Sequence, residues 1–208
     1  MEPKRTLILF VHPAYEKSRA NRLLLQAVHD LEHVTIHDLY EEYPDFNIDI
    51  EREKALLVEH DLIVLQHPFY WYSSPALLKE WLDLVLEYGF AYGTGGTALQ
   101  GKQLLTTITT GGSPDAYRPE GINRFTMRQF LIPFEQTAVL CGMRYLPPFV
   151  AHSMHLRPQA EVLDEYAQGY RRVLTALRDG ELDDGLLEQQ EYMTEILRSK
   201  GWLPEEVY

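Results

Sequence analysis

Three short stretches of this 208-residue chain carry side chains suited to chemistry. Phe69, Tyr70, Trp71 and Tyr72 follow an apolar run and cannot all point into one core. Flat aromatic faces in a loop suit a planar ring, although a packing cluster with polar tips in water is the ordinary alternative. Thr109, Thr110, Gly111 and Gly112 close a second apolar run. There, hydroxyls and free backbone amides could reach the polar edge of such a ring, and glycine lets the backbone approach it; a plain glycine turn is the rival reading. His12, Ser18, Arg19, Ala20 and Asn21 follow the first apolar run and open a helix, a place where backbone N–H groups can hold phosphate. The rival is an ordinary loop with a helix cap. The first two stretches together suggest a bound planar cofactor, and the third stays open between a phosphate site and a capped loop.

The elements that must position these residues alternate. Residues 7–11, 34–39, 62–65, 104–110 and 144–150 read as strands, two of them (7–11 and 62–65) continuous apolar runs expected of strands covered on both faces. Helical spacing predicts helices over 18–31, 50–59, 75–86, 127–140 and 163–177, with Ser18 and Ser74 as caps and Pro75 at a first helical position. This alternation implies an α/β fold, a three-layer sandwich around a parallel sheet with right-handed crossovers. Five strands fit the flavodoxin-like order 2-1-3-4-5, in which ligands such as flavin bind at the carboxyl ends of the strands. The pattern implies one such domain over residues 1–179. A helical tail over 180–208 carries Leu186, Leu187, Met193, Ile196 and Leu197, opened by Asp183 and Asp184 and stopped by Gly201. The pattern leaves open whether the tail packs on its own subunit or reaches a neighbour.

Bulk properties exclude several classes. A net charge of −12, with no basic run, argues against a nucleic-acid partner and against docking to an anionic membrane surface. The single cysteine, Cys141, permits no internal disulfide and fits a reducing cytoplasm. Its apolar neighbours make it a buried small hydrophobe rather than a nucleophile. No apolar run approaches the roughly 20 residues that span a bilayer, and the first residues lack the pattern of a signal peptide.

Other patterns are set aside. The glycines at 93, 95 and 96 follow a helix instead of a strand, so the context for a dinucleotide loop is missing. His29 with His33, and His152 with His155, have no acid or cysteine at ligand spacing, so no metal site is expected.

The chain also resembles the NAD(P)H:quinone oxidoreductase family, and within it the ancillary oxidoreductases of bacterial glutathione-gated potassium-efflux systems. The likeness covers about residues 7–177. It rests on Tyr43-Pro44-Asp45-Phe46-Asn47-Ile48-Asp49, on His67-Pro68 with Trp71-Tyr72, on residues 75–81 and 95–99, and on residues 109–112. The resemblance implies a flavin cofactor, FMN with FAD as the alternative, and NADPH or NADH as donor. It implies a two-electron ping-pong cycle that reduces quinones, a homodimer with its active site at the interface, and a possible membrane potassium-efflux partner. His12 and residues 18–21 match flavin-phosphate contacts, residues 69–72 the loop beside the ring, and residues 109–112 the loop along its edge. Tyr92 matches a substrate-pocket tyrosine, and Tyr117 a tyrosine near the flavin carbonyl. Asn123 stands where animal relatives have a histidine proposed to assist hydride transfer; an amide cannot take up a proton at neutral pH. Two other roles stay open: a regulatory subunit of the efflux system, and a flavodoxin-type electron carrier.

Overall fold

The computed structural model describes residues 2–154 and 160–203. Its sheet contains β1 (Thr6–Phe10), β2 (Val34–Asp38), β3 (Leu62–Pro68), β4 (Gln103–Thr109), β5 (Arg144–Tyr145) and β6 (Phe149–Ala151). All pairings are parallel, in the order β2-β1-β3-β4-β5, with β6 also on β4. This is the expected order, with one difference. The fifth strand is split, because Pro147 and Pro148 have no N–H for the ladder. The register slips by one residue across the break: Gln103 faces Arg144, whereas Thr107 faces Phe149. The extra residue is a bulge.

Helices cover both faces: α1 (Arg19–Gln26), α2 (Leu39–Glu42), α3 (Ile50–Glu59), α4 (Ala76–Val85), α5 (Met127–Phe130), α6 (Ile132–Leu140), α7 (Ala160–Asp179), α8 (Asp184–Gln189) and α9 (Met193–Ser199). Side chains alternate along a strand, and β1 divides accordingly. Leu7, Leu9 and Val11 join a core with Leu77, Trp81 and Phe134, whereas Ile8 and Phe10 join another with Leu24, Tyr170 and Leu174.

Three expectations about helices need correction. Ser74 does not cap α4: Pro75, extended at ψ 152°, is itself the flanking residue, and no side chain caps the helix. Ser74 therefore lies one position too early. The helix expected over 127–140 breaks at Leu131, since Pro133 cannot donate to the carbonyl of residue 129 and its ring crowds it. The tail forms two short helices instead of one. Asp183 caps α8 by accepting from the N–H of Leu186. The tail packs on its own chain: Met193, Ile196 and Leu197 have 0% exposure in the second core, and the Met193 N–H donates to the carbonyl of Pro148.

No helix among the described residues is long and apolar enough to cross a membrane, and no group of three metal-ligating side chains occurs among them. His155 lies outside the described residues.

Candidate functional site

The sheet delivers the candidate residues to one edge. Parallel strands end together, and β1, β3, β4 and β6 run out at Val11, Phe69, Thr110 and His152. Backbone bonds stitch these ends: Phe69 N–H donates to Thr109 O at 2.8 Å, and Thr110 N–H to Ala151 O at 2.9 Å.

The first loop forms a polar cradle. Ser18 caps α1, accepting from the N–H of Asn21 at 3.2 Å. By helix geometry the N–H groups of Arg19 and Ala20, in the same turn, have no partner within the helix. His12 is buried, and burial lowers its pKa against smaller opposing effects of Glu16 and a backbone hydrogen bond. Its Nδ1 accepts from Ala14 N–H at 3.0 Å, so the neutral ring carries its proton on Nε2 as a donor. Asn21, 1% exposed, ties the cradle to the glycine loop: its Nδ2 donates to Thr109 Oγ1 at 2.9 Å, while its Oδ1 is buried with no hydrogen-bond partner. A buried acceptor without a donor is costly unless something arrives to fill it.

The aromatic loop is a two-residue hairpin. Tyr70 and Ser73 exchange both backbone hydrogen bonds, at 3.1 and 2.9 Å. The central residues, Trp71 and Tyr72, have φ of +47° and +64°. Such turns favour Asn-Gly, and bulky side chains there are strained. Trp71 is 93% exposed at the tip. Tyr72 turns back, stacks on Phe130 at 5.2 Å and donates from its hydroxyl to Asn123 Oδ1 at 3.3 Å. Tyr70 packs edge-on to His12 at 6.1 Å.

The glycine loop holds Tyr117 against it. The two hydroxyls of Thr110 and Tyr117 lie 2.5 Å apart. A Cβ at Gly112 would come within 2.8 Å of the Tyr117 ring, so a larger residue there would have to displace that ring. Burial raises the Tyr117 pKa, outweighing the Thr110 hydrogen bond, and the phenol stays protonated. His67, beneath the aromatic loop, is buried and pushed down to about 4 by burial, against the hydrogen bond to Pro68.

A cleft of about 470 Å³ opens beside the hairpin, lined by Tyr72, Ser73, Tyr92, Phe130, Phe134 and Cys141, among others. It brings Tyr92 to the aromatic loop across 20 residues of chain. Glycine 96 belongs to this loop's fold: a Cβ there would meet the Tyr92 carbonyl oxygen at 2.1 Å. Sequence reasoning missed Phe130, which reads as an ordinary helical core position, and the link from Asn21 to Thr109, which lie 88 residues apart.

Residues 4–174 match the family described as having a flavodoxin-like fold. The chain belongs to that family. It is 53% identical over 173 residues to the glutathione-regulated potassium-efflux system ancillary protein KefG of Yersinia enterocolitica, covering 83% of this chain and 94% of that one. Among solved flavodoxin-like structures, general stress protein 14 from Treponema denticola, in complex with FMN, is 38% identical with a TM-score of 0.78, covering 83% of this chain and 99% of that one. An NADPH-quinone reductase from P. pentosaceus is 32% identical with a TM-score of 0.75, covering 84% and 98%. A structure described as a thermophilic tryptophan halogenase from Streptomycin violaceusniger is 46% identical with a TM-score of 0.78, covering 80% and 96%. One fold here carries several named activities, so function must be argued from the site.

Proposed function

We propose that this protein is a flavin-dependent NAD(P)H oxidoreductase that passes two electrons to a quinone-like acceptor. The observation that carries the reading is Asn21 Oδ1, a buried acceptor lacking a donor between the α1 cradle and the glycine loop. The hydroxyls of a flavin's ribityl chain are donors that fit it. Bound there, a flavin would take a hydride from NADPH or NADH and return two electrons to the acceptor. The likeness to the quinone reductase at 32% identity supports this chemistry, and the FMN held by the Treponema protein favours FMN over FAD.

In this reading, His12 Nε2–H, the Ser18 hydroxyl and the N–H groups of Arg19 and Ala20 hold the phosphate, as helix N-termini do. Residues 69–72 cover a flat face of the ring, and residues 109–112 line its polar edge. Tyr117 keeps its proton and donates a hydrogen bond to negative charge developing there. Asn123 orients Tyr72 and takes up no proton. Tyr92 and the cleft receive donor and acceptor in turn.

A homodimer completes the proposal. Phe125, Ile132, Val139 and Leu140 are each more than half exposed, and Leu140 also lines the cleft. A second copy would remove this apolar surface from water. Light scattering that returned a monomer at working concentration would remove this part.

The likeness to KefG favours a second, compatible role: an ancillary subunit of a potassium-efflux system, placing the protein in the cytoplasm at the inner face of the membrane. Co-purification with the efflux protein tests it, and lack of association counts against it.

The direct test of the catalytic roles is Tyr117→Phe. The variant should retain flavin and reduce it about tenfold more slowly, the scale of one hydrogen bond to a charged group. An unchanged reduction rate in stopped flow would remove Tyr117 from the mechanism.

A further inference from the structure

A second cavity is bounded by Tyr117 and shares no lining residue with the cleft beside the aromatic loop. Its volume is about 280 Å³. One wall comes from the strand end at His152 and from Tyr117; the opposite wall comes from the tail, including Tyr192 and Arg198. The tail lies beyond residue 174, where the family match ends.

Arg198 is the unusual group. Its Nε is buried with no hydrogen-bond partner, and it makes no ion pair among the described residues. This occurs in a chain with 31 acidic side chains, and two of them, Glu191 and Glu195, line the same cavity. The Glu195 carboxylate is engaged elsewhere: its Oε2 accepts from the N–H groups of Glu191 and Tyr192, at 2.9 and 3.2 Å, and caps α9. The other cation, Arg118, is paired with Asp115 at 3.0 Å at the surface. His152 adds no charge: burial, with the Arg198 charge in the same direction and a hydrogen bond to Gly112 opposing, brings it down to about 4. Arg198 is partly exposed as a whole, but no carboxylate among the described residues pairs with its guanidinium. A planar fork of donors is the standard partner of a carboxylate. Tyr117, Met127, Val150 and Tyr192 supply apolar and aromatic surface around it.

We propose that this cavity binds a small organic carboxylate with an aromatic or apolar body, its charge paired with Arg198 and its body packed between Tyr117 and the tail. Tyr117 is the wall common to both sites, since its hydroxyl meets Thr110 in the glycine loop. That placement lies one side chain from the candidate flavin edge. The coupling rests on the flavin reading; the binding does not.

The test uses benzoate as the probe, titrated by calorimetry into the purified full-length protein as isolated. Binding should weaken at least about tenfold in Arg198→Met, which keeps the bulk but loses the charge. In the wild-type protein, backbone amide shifts should move at residues 191–198 and near Tyr117. Binding that Arg198→Met leaves unchanged overturns the proposal. So do shifts confined to residues 72–92, which would put benzoate in the cleft, and the absence of binding up to about 10 mM, weaker than a paired carboxylate should show. The wild-type shifts decide the matter should the variant fail to fold. None of these outcomes depends on whether NADPH reduces the protein.

Discussion

Glu53 and Asn21 are both polar side chains with exposure of 1% or less, and their surroundings differ in kind. Glu53, on α3, receives three donors: Tyr43 OH at 2.6 Å and His37 Nε2 at 2.8 Å on one oxygen, and Trp81 Nε1 at 2.7 Å on the other. Both oxygens are satisfied, and the cluster locks β2, the 43–49 loop, α3 and α4 together. Asn21, beside the carboxyl ends of the strands, uses only its side-chain nitrogen and leaves Oδ1 empty. The backbone follows suit. One left-handed residue, Phe46, occurs in the loop beside Glu53, whereas Trp71 and Tyr72 are left-handed in succession beside the cradle. A polar cluster closed on itself holds a fold; one left open beside a strained loop keeps an unmet acceptor, which the proposed flavin would meet.

The sharpest way to break this contrast is Glu53→Ala. It strips the common acceptor from three buried donors and should cost about 3–5 kcal/mol in urea unfolding. The pH dependence carries a sign. Burial alone would raise the Glu53 pKa, but hydrogen bonds from His37, Tyr43 and Trp81 outweigh it and hold the carboxyl below its usual range. A depressed folded pKa gives stability that is fully present above the usual glutamate range and lost as pH falls through the folded value. Glu53→Gln should flatten that acid-side loss; an unaltered acid profile would show that the cluster does not govern it.

Asn21→Leu gives the opposite signature. The fold should change by less than about 1 kcal/mol, since the unpaired buried acceptor goes together with the hydrogen bonds that Nδ2 donates to the Ser18 and Thr109 hydroxyls. FMN affinity, read by fluorescence quenching, should fall about tenfold, or about 1.4 kcal/mol, because the ribityl hydroxyls lose their acceptor. Equal losses of stability and affinity would erase the distinction between the two clusters.

The smallest effect is expected at Trp71. Trp71→Gly should raise the stability of the flavin-free protein by about 1 kcal/mol by relieving the left-handed backbone. The same change should weaken flavin binding about threefold to tenfold through loss of the aromatic face. A variant less stable than the parent would mean that the turn is not strained.

The same contrast explains what could be read from the amino-acid order. Buried parallel strands announce themselves, since β1 and β3 are unbroken apolar runs, and the sheet order follows from their alternation with helices. The loops after β1, β3 and β4 were legible as a candidate site because strand ends converge in this topology. Glu53 was not legible: a glutamate within Glu51-Arg52-Glu53-Lys54 reads as a solvated helix face. Asn21 was named, but its bond to Thr109 is long-range and leaves no local pattern. The breaks at Leu131 and at Pro147-Pro148 turn on single prolines within otherwise regular periodicity. Docking of the tail depends on the shape of the face it covers, which no local spacing records.

The most direct test of the account is an anaerobic NADPH titration of the flavin-loaded protein, followed by visible absorbance, with menadione added at the end. Bleaching of the flavin band by about one equivalent, and its return on adding menadione, is the predicted result for a two-electron cycle. Bound flavin that neither NADPH nor NADH can bleach would contradict the oxidoreductase reading and leave the open cluster at Asn21 as a flavin-sensing site.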